Sequence, residues 1–226
     1  MKRIDLNVDI GEGYPNDDRL LDFATSANIC CGEHAGSWEL TQETIHRCME
    51  RDVRIGMHPG YPDRNNMGRH SMRESQLREF ADSVADQVER FFLFVPAAYI
   101  KPHGALYNDA VLGLKEARDM IADACRRLKI PLMGLPNSAL QFVARAEKVA
   151  FIREGFADRA YRPDGTLVPR TQIGAVLEKP KDVKRQVLEV APKVNSICLH
   201  GDTKNCVEFA ELVFKTLVDA GYEVGA

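Results

Sequence analysis

The chain has 226 residues, 45% of them apolar and 28% charged, with a net charge of −3. A chain of that length buries roughly 70–75% of its unfolded surface, so it needs no disulfides or structural metals to hold a core. Its slight acidity and lack of a basic run give nucleic-acid binding no electrostatic support, and no stretch approaches the roughly 18 apolar residues that span a bilayer.

The predicted elements alternate between strand and helix. Short apolar or β-branched runs bounded by Gly or Pro read as strands over 3–9, 26–31, 53–57, 97–101, 131–135, 149–154 and 195–199. The intervening segments carry helical spacing. Ser37 is a predicted N-cap, Ser71 and Glu74 have capping-box spacing, Asn137 is a cap candidate, and Gly221 closes the last helix. Strands alternating with helices predict a parallel sheet with helices outside it. Length alone leaves an open doubly wound sheet and a closed barrel both available. No linker or low-complexity tract interrupts the chain, so one domain over residues 1–226 is expected. The N-terminus lacks the continuous apolar core of a secretory signal, which makes the cytoplasm the expected location. None of the six cysteines forms a C-x-x-C pair, and most sit in apolar surroundings as reduced small residues. Cys31 borders a candidate site segment and is the exception. The longest irregular stretches, 58–70 and 155–180, are candidate functional loops.

Chemistry gathers at the strand ends. Parallel α/β folds place their active sites at the C-terminal ends of their strands, and every predicted strand except the fifth ends on polar residues. The first delivers Asp9 and Glu12, and the second Glu33 and His34. The third gives His58 and then Asp63, and the fourth Lys101 and His103. The sixth gives Glu154, Asp158 and Arg159, and the seventh His200 and Asp202. Four of the six histidines, His34, His58, His103 and His200, therefore converge on one predicted mouth, while His46 and His70 read as surface residues. Asp9 and Glu12 suit acid–base work. Arg159 and Arg170 are candidates to bind a carboxylate. Neither a Walker pattern nor a G-x-S-x-G elbow occurs. The histidines and acids fit either direct acid–base chemistry or a divalent metal with an activated water.

The motifs "DLNVDIGEG", "SANICCGEHAG", "IGMHPGYPD", "GRHSM", "KPHGALYN", "FADRAY…DGTLVPR…GA" and "CLHGD" run in order across nearly the whole chain and resemble the LamB/YcsF family. The resemblance implies a seven-stranded β/α barrel of the glycoside hydrolase/deacetylase type. It implies the A-subunit role in an ATP-dependent 5-oxoprolinase, which opens the lactam 5-oxo-L-proline to L-glutamate with partner subunits B and C. It also implies site residues at Asp9, Glu12, Asn28, His34, His58, Lys101, His103, Glu154, Asp158, Arg159, Arg170, His200 and Asp202. Of these, Asp9, Glu12, His58 and His103 are the expected catalytic set and the rest the expected substrate contacts. His103 or His58 would act as base helped by Asp9, Arg159 or Arg170 would hold the substrate carboxylate, and Lys101 would stabilise the activated oxygen. ATP is the expected cosubstrate of the complex, a divalent metal and a homo-oligomer remain open, and neither nucleic acid nor membrane is an expected partner. The rival readings are a metal-dependent amide hydrolase working without ATP, and a non-catalytic substrate-binding subunit. Three features depart from the family pattern. Glu33 stands where the family carries an aromatic, the segment after "GEG" is short, and Y-Q-I-G-A-L is missing before "YIKPHGA". The polar stretch from "HPGYPD" to "GRHSM" is a candidate docking or lid loop.

Overall fold

The computed structural model describes residues 2–71 and 76–226. Its centre is a closed barrel of seven parallel strands, β1 (Lys2–Ile10), β2 (Ser26–Cys30), β3 (Arg54–His58), β4 (Tyr99–Ile100), β5 (Leu132–Gly134), β6 (Phe151–Phe156) and β7 (Ser196–His200). Each strand pairs with the next in sequence, and β1 closes the ring by pairing with both β2 and β7. All seven match the predicted strands within a few residues. An eighth short strand, β8 (Tyr222–Val224), extends beyond the ring along the first residues of β1.

Helices α1 (Asp17–Leu21), α2 (Trp38–Glu50), α3 (Leu77–Phe94), α4 (Gly104–Leu112), α5 (Lys115–Leu128), α6 (Ala139–Ala146), α7 (Pro180–Val190) and α8 (Cys206–Asp219) occur between the strands. Their buried faces follow helical spacing. In α2, Thr41, Thr44, Ile45 and Cys48 are buried, and in α8 Phe209, Ala210, Val213 and Leu217. Ser37 caps α2 as expected, accepting from the Leu40 N–H at 3.2 Å, a contact worth about 1 kcal/mol. The cap of α6 is Ser138 and not Asn137. Asn137 instead takes a left-handed φ of 60° and donates its N–H to Gln141 Oε1. The expected capping box involves Glu74, which lies outside the described residues.

Strand alternation explains why the site is polar. In β1 the even residues Ile4, Leu6, Val8 and Ile10 join the apolar core, and their full burial stabilises the fold by about 1.5–3 kcal/mol each. The odd residues Asp5, Asn7 and Asp9 belong to the opposite face, as a period of two requires. They meet Ser196 and Cys198 of β7 and Asn28 of β2 in a hydrogen-bonded ladder. Asn7 Nδ2 donates to Ser196 Oγ (2.7 Å), Asn28 Nδ2 to Asn7 Oδ1 (2.6 Å) and Asp9 Oδ1 (2.7 Å), and Tyr99 OH to Asn28 Oδ1 (2.8 Å). Such a network persists only when its members are satisfied, and Gly56 makes room for it. A Cβ there would lie 2.3 Å from the Tyr99 ring.

Candidate active site

At the C-terminal end of the barrel the ladder becomes a cluster of charges. Lys101 is 1% exposed. Its Nζ lies 2.7 Å from Asp9 Oδ1, 2.8 Å from Glu154 Oε1 and 2.9 Å from Cys198 Sγ. Burial pulls its pKa down, but Asp9, Cys198 and Glu154 together hold it well above the ordinary lysine value. For Asp9, burial works upward and is overcome by Lys101 and His58, which keep the carboxyl well below the usual range. Glu154 goes the other way, because burial raises it more than Lys101 lowers it.

Above this floor stand the four histidines that the sequence placed at strand ends. His58 Nδ1 donates to the Lys101 carbonyl (2.8 Å), which turns Nε2 toward Asp9 Oδ2 (3.4 Å) and His103 Nδ1 (3.0 Å). His103 Nε2 donates to the Met67 carbonyl (2.8 Å), and its Nδ1 lies 3.3 Å from Glu12 Oε1. His34 stacks on His103 with centroids 3.8 Å apart and its Nε2 3.5 Å from Glu12 Oε1. Burial works to raise Glu12 and to lower His103 and His34. Contacts with His103 and then His34 nevertheless hold Glu12 well below its usual value, while His103 stays low and His34, beside Cys30 and Glu12, ends above its ordinary value. The glycines near the histidines fix this stack. Gly68 has φ +62°, and a Cβ on it would approach the His34 Cβ to 2.9 Å and the His103 ring to 3.2 Å.

His200 is held differently. Its Nδ1 lies 2.9 Å from Asp158 Oδ1, its backbone N–H donates to Asp158 Oδ2, and its ring stacks on Phe156. Asp158 is fully buried. Burial would raise it, but His200 draws it below the ordinary carboxylate value. With Nδ1 bound to Asp158, His200 presents Nε2 3.7 Å from Asp9 Oδ2.

The opposite wall is cationic. Asp202 Oδ2 accepts from Arg69 Nη2 at 2.5 Å and from Arg170 Nη1. Arg159 spends Nε on the Ala175 carbonyl and Nη2 on the Val168 carbonyl. Burial and then Arg170 push the Arg159 pKa down to about 10. Arg170 Nη2 and Asp202 Oδ1 are buried without hydrogen-bond partners among the described residues. Between floor and wall lies a cavity of about 180 Å³, lined by Asp9, Glu12, His58, Lys101, His103 and His200 on one side and by Arg69, Arg159, Arg170 and Asp202 on the other.

The sequence-predicted residues thus divide into two layers. Asp9, Glu12, His58, Lys101, His103, Arg159, Arg170, His200 and Asp202 line the cavity, whereas Asn28, His34, Glu154 and Asp158 are buried behind it and orient those that do. Lys101, expected to reach an activated oxygen, has its ammonium engaged by Asp9, Glu154 and Cys198. Glu33 points away from the mouth. It pairs with Arg90 (3.4 Å), whose guanidinium covers Trp38, so the departure from the aromatic brings no charge into the cavity. Cys31 is buried outside the cavity, with burial pushing its thiol up to about 12. The 59–70 loop folds inward. Arg64 binds the Gly36 and Gly32 carbonyls, Met67 caps His103, and Arg69 reaches Asp202. His46 and His70 are exposed, as expected. Sequence reasoning missed Arg69, hidden in a polar loop, and Asn7, whose signal was its place two residues before Asp9 in the same strand.

The LamB/YcsF family profile matches residues 4–226. The chain belongs to the LamB/YcsF family. Among its relatives, a Haemophilus influenzae (strain PittEE) protein, named as the A subunit of 5-oxoprolinase, is 41% identical over 238 residues, covering 96% of each chain. The crystal structure of a lactam utilization protein from Thermus thermophilus matches the whole of both chains with a TM-score of 0.82 at 29% identity. A family 4 carbohydrate esterase from Streptomyces lividans, with a TM-score of 0.52 at 10% identity, covers all of this chain and 92% of its own, and shares the fold alone. Two groups of donors, Glu12–His58–His103 and Asp9–Cys198–His200, make the site compatible with a divalent metal ion. Among the described residues no helix is long and apolar enough to cross a membrane.

Proposed function

We propose that residues 1–226 act as one domain, the A subunit of an ATP-dependent 5-oxoprolinase that opens 5-oxo-L-proline to L-glutamate together with subunits B and C. The observation that carries the reading is the division of the cavity into an acid–base floor and an arginine wall, in a chain whose full-length relatives bear that enzyme's name. The substrate is a small ring with a carbonyl to be attacked and a carboxylate to be held. A cavity of about 180 Å³ suits such a molecule, being below the roughly 300–1,000 Å³ of pockets for drug-sized ligands.

In the proposed mechanism the substrate carboxylate lies against Arg159 and Arg170, where charge-assisted hydrogen bonds fix its orientation. The lactam carbonyl then faces the floor. His200 is the best-placed base, because Asp158 holds the ring through Nδ1 and leaves Nε2 to take a proton from water. Water oxygen bonds to the carbonyl carbon, the carbon–nitrogen bond of the ring breaks, and the nitrogen leaves with a proton. His200 Nε2, protonated in the first step, is placed to return that proton. Lys101 acts through Asp9, keeping it ionised and aimed at His58 and His200. A metal ion held by Glu12, His58 and His103 would supply Lewis-acid polarisation of the carbonyl or water. The chain has no P-loop, and the nucleotide is assigned to the assembled complex. The test is glutamate release from 5-oxoproline by the chain with and without ATP and the two partner subunits. Turnover by the complete set supports the reading. ATP-independent hydrolysis of N-acetyl substrates by the isolated chain would favour a plain amide hydrolase.

A further inference from the structure

The two nitrogens that His58 and His103 turn toward each other pose a proton-counting problem. A carbonyl oxygen only accepts, so His58 Nδ1 and His103 Nε2, each 2.8 Å from a carbonyl, both carry protons. In neutral rings the facing nitrogens, His58 Nε2 and His103 Nδ1, are then both bare lone pairs, yet they stand 3.0 Å apart. Glu12 Oε1, a buried oxygen with no hydrogen-bond partner among the described residues, lies 3.3 Å from His103 Nδ1. Asp9 Oδ2 lies 3.4 Å from His58 Nε2. Four acceptor atoms converge, and the neutral His58 and His103 rings bring no proton among them. Charge points the same way. The floor gathers three carboxylates, Asp9, Glu12 and Glu154, around the ammonium of Lys101.

We propose that Glu12 Oε1, His58 Nε2 and His103 Nδ1 form a binding site for one divalent transition-metal ion. Ligand bonds of about 2.0–2.2 Å to imidazole nitrogen and carboxylate oxygen put two donors on a tetrahedral centre about 3.4 Å apart, close to the 3.0 and 3.3 Å separations here. Two imidazoles and one carboxylate select zinc or a similar borderline ion over magnesium or calcium, which prefer oxygen alone, and leave a position open to the cavity. The outer contacts are those of a ligand shell. The Lys101 and Met67 carbonyls fix both tautomers, and His34 stacks behind His103. The other donor group, Asp9–Cys198–His200, is filled already, since the Lys101 ammonium sits 2.7 Å from Asp9 Oδ1 and 2.9 Å from Cys198 Sγ.

The inference rests on this cavity being the active site, but its readout is ion content and not turnover. The full chain is stripped with a chelator and titrated with Zn²⁺ and Co²⁺ by calorimetry, with the visible spectrum of bound Co²⁺ reporting nitrogen–oxygen coordination. One ion per chain is expected. Glu12→Gln, His58→Asn and His103→Asn are each expected to weaken binding by more than the roughly 10–100-fold that loss of an outer-shell partner costs, while Cys198→Ser keeps the wild-type affinity. Should a variant fail to fold, the wild-type chain still decides the matter, because added Zn²⁺ must raise its melting temperature. Absence of any bound ion in the wild type would overturn the site and leave a proton shared between the two rings. Binding lost in Cys198→Ser but kept in His103→Asn would overturn it too. Turnover of 5-oxoproline by an ion-free complex would sink the metal site and leave the functional reading standing, whereas an ion bound by a chain that never turns over 5-oxoproline would do the reverse.

Discussion

Replacing Lys101 with methionine removes the ammonium from among the buried floor groups while nearly preserving volume. Its ammonium lies 2.7 Å from Asp9 and 2.8 Å from Glu154. At an effective dielectric of about 20, each attraction amounts to about 6 kcal/mol. Most of that offsets the cost of burying the three charges, so the sum is not the stability change. Removing one partner of a buried pair costs about 3–5 kcal/mol, because the charge left behind has neither water nor counter-ion. Lys101→Met is therefore expected to lose about 3–5 kcal/mol in urea unfolding at neutral pH. Adding Glu154→Gln removes one of the stranded charges and is expected to recover about 1–3 kcal/mol, the scale of coupling between groups in one network. A loss under about 1 kcal/mol, or a second substitution that recovers nothing, would refute the view that Lys101 compensates these carboxylates.

Further expectations follow from other parts of the site. His200→Asn should lower turnover by the complete enzyme at least about 100-fold, the lower end for an acid–base group, with unfolding little changed; full turnover would remove the Asp158–His200 pair from the mechanism. His103→Ala should show a loss of the same order, and full activity in a well-folded variant would reject its role. Asp17, which accepts the Gly11 N–H, has a carboxyl raised to about 6 by burial. A raised folded value means its contribution is fully present below about pH 4 and is lost as the pH rises through about 6. Asp17→Asn should therefore match the wild type at pH 4 and exceed it by about 1–3 kcal/mol at pH 7.5, and parallel urea midpoints at the two pH values would contradict this. Gly68→Ala forces a Cβ against His34 at a left-handed φ, so a destabilisation of about 1–3 kcal/mol and impaired turnover are expected, and unchanged stability and activity would show that the histidine stack tolerates displacement.

The barrel was legible because parallel strands buried on both sides leave short apolar runs, and because each ends on residues whose chemistry is out of place in a core. The same runs hid the ladder beneath the site. Asn7 and Tyr99 read as ordinary strand residues until the register sets them beside Asn28. The eighth strand escaped notice because three residues after Gly221 carry no periodicity, and it forms only because β1 offers its first residues as a template. Loop geometry was the least readable part. Nothing in "NNMGRHSM" announces that Met67 offers its carbonyl to His103 or that Arg69 reaches Asp202 across the mouth, because both depend on long-range closure and not on local propensity. Layering was also invisible. Strand ends named His34, Glu154 and Asp158, and the family resemblance Asn28, along with the cavity residues, but only the packed barrel separates groups that face substrate from those that hold them.

The most direct test is glutamate formation from 5-oxo-L-proline by this chain combined with the proposed partner subunits B and C and ATP, with the His200→Asn chain assayed in the same assembly. ATP-dependent turnover is expected from the complete set, little or none from the chain alone, and a loss of at least about 100-fold with the substituted chain. Undiminished turnover with His200→Asn, or robust turnover by the isolated chain, would contradict the proposed division of labour between the floor of this barrel and its partners.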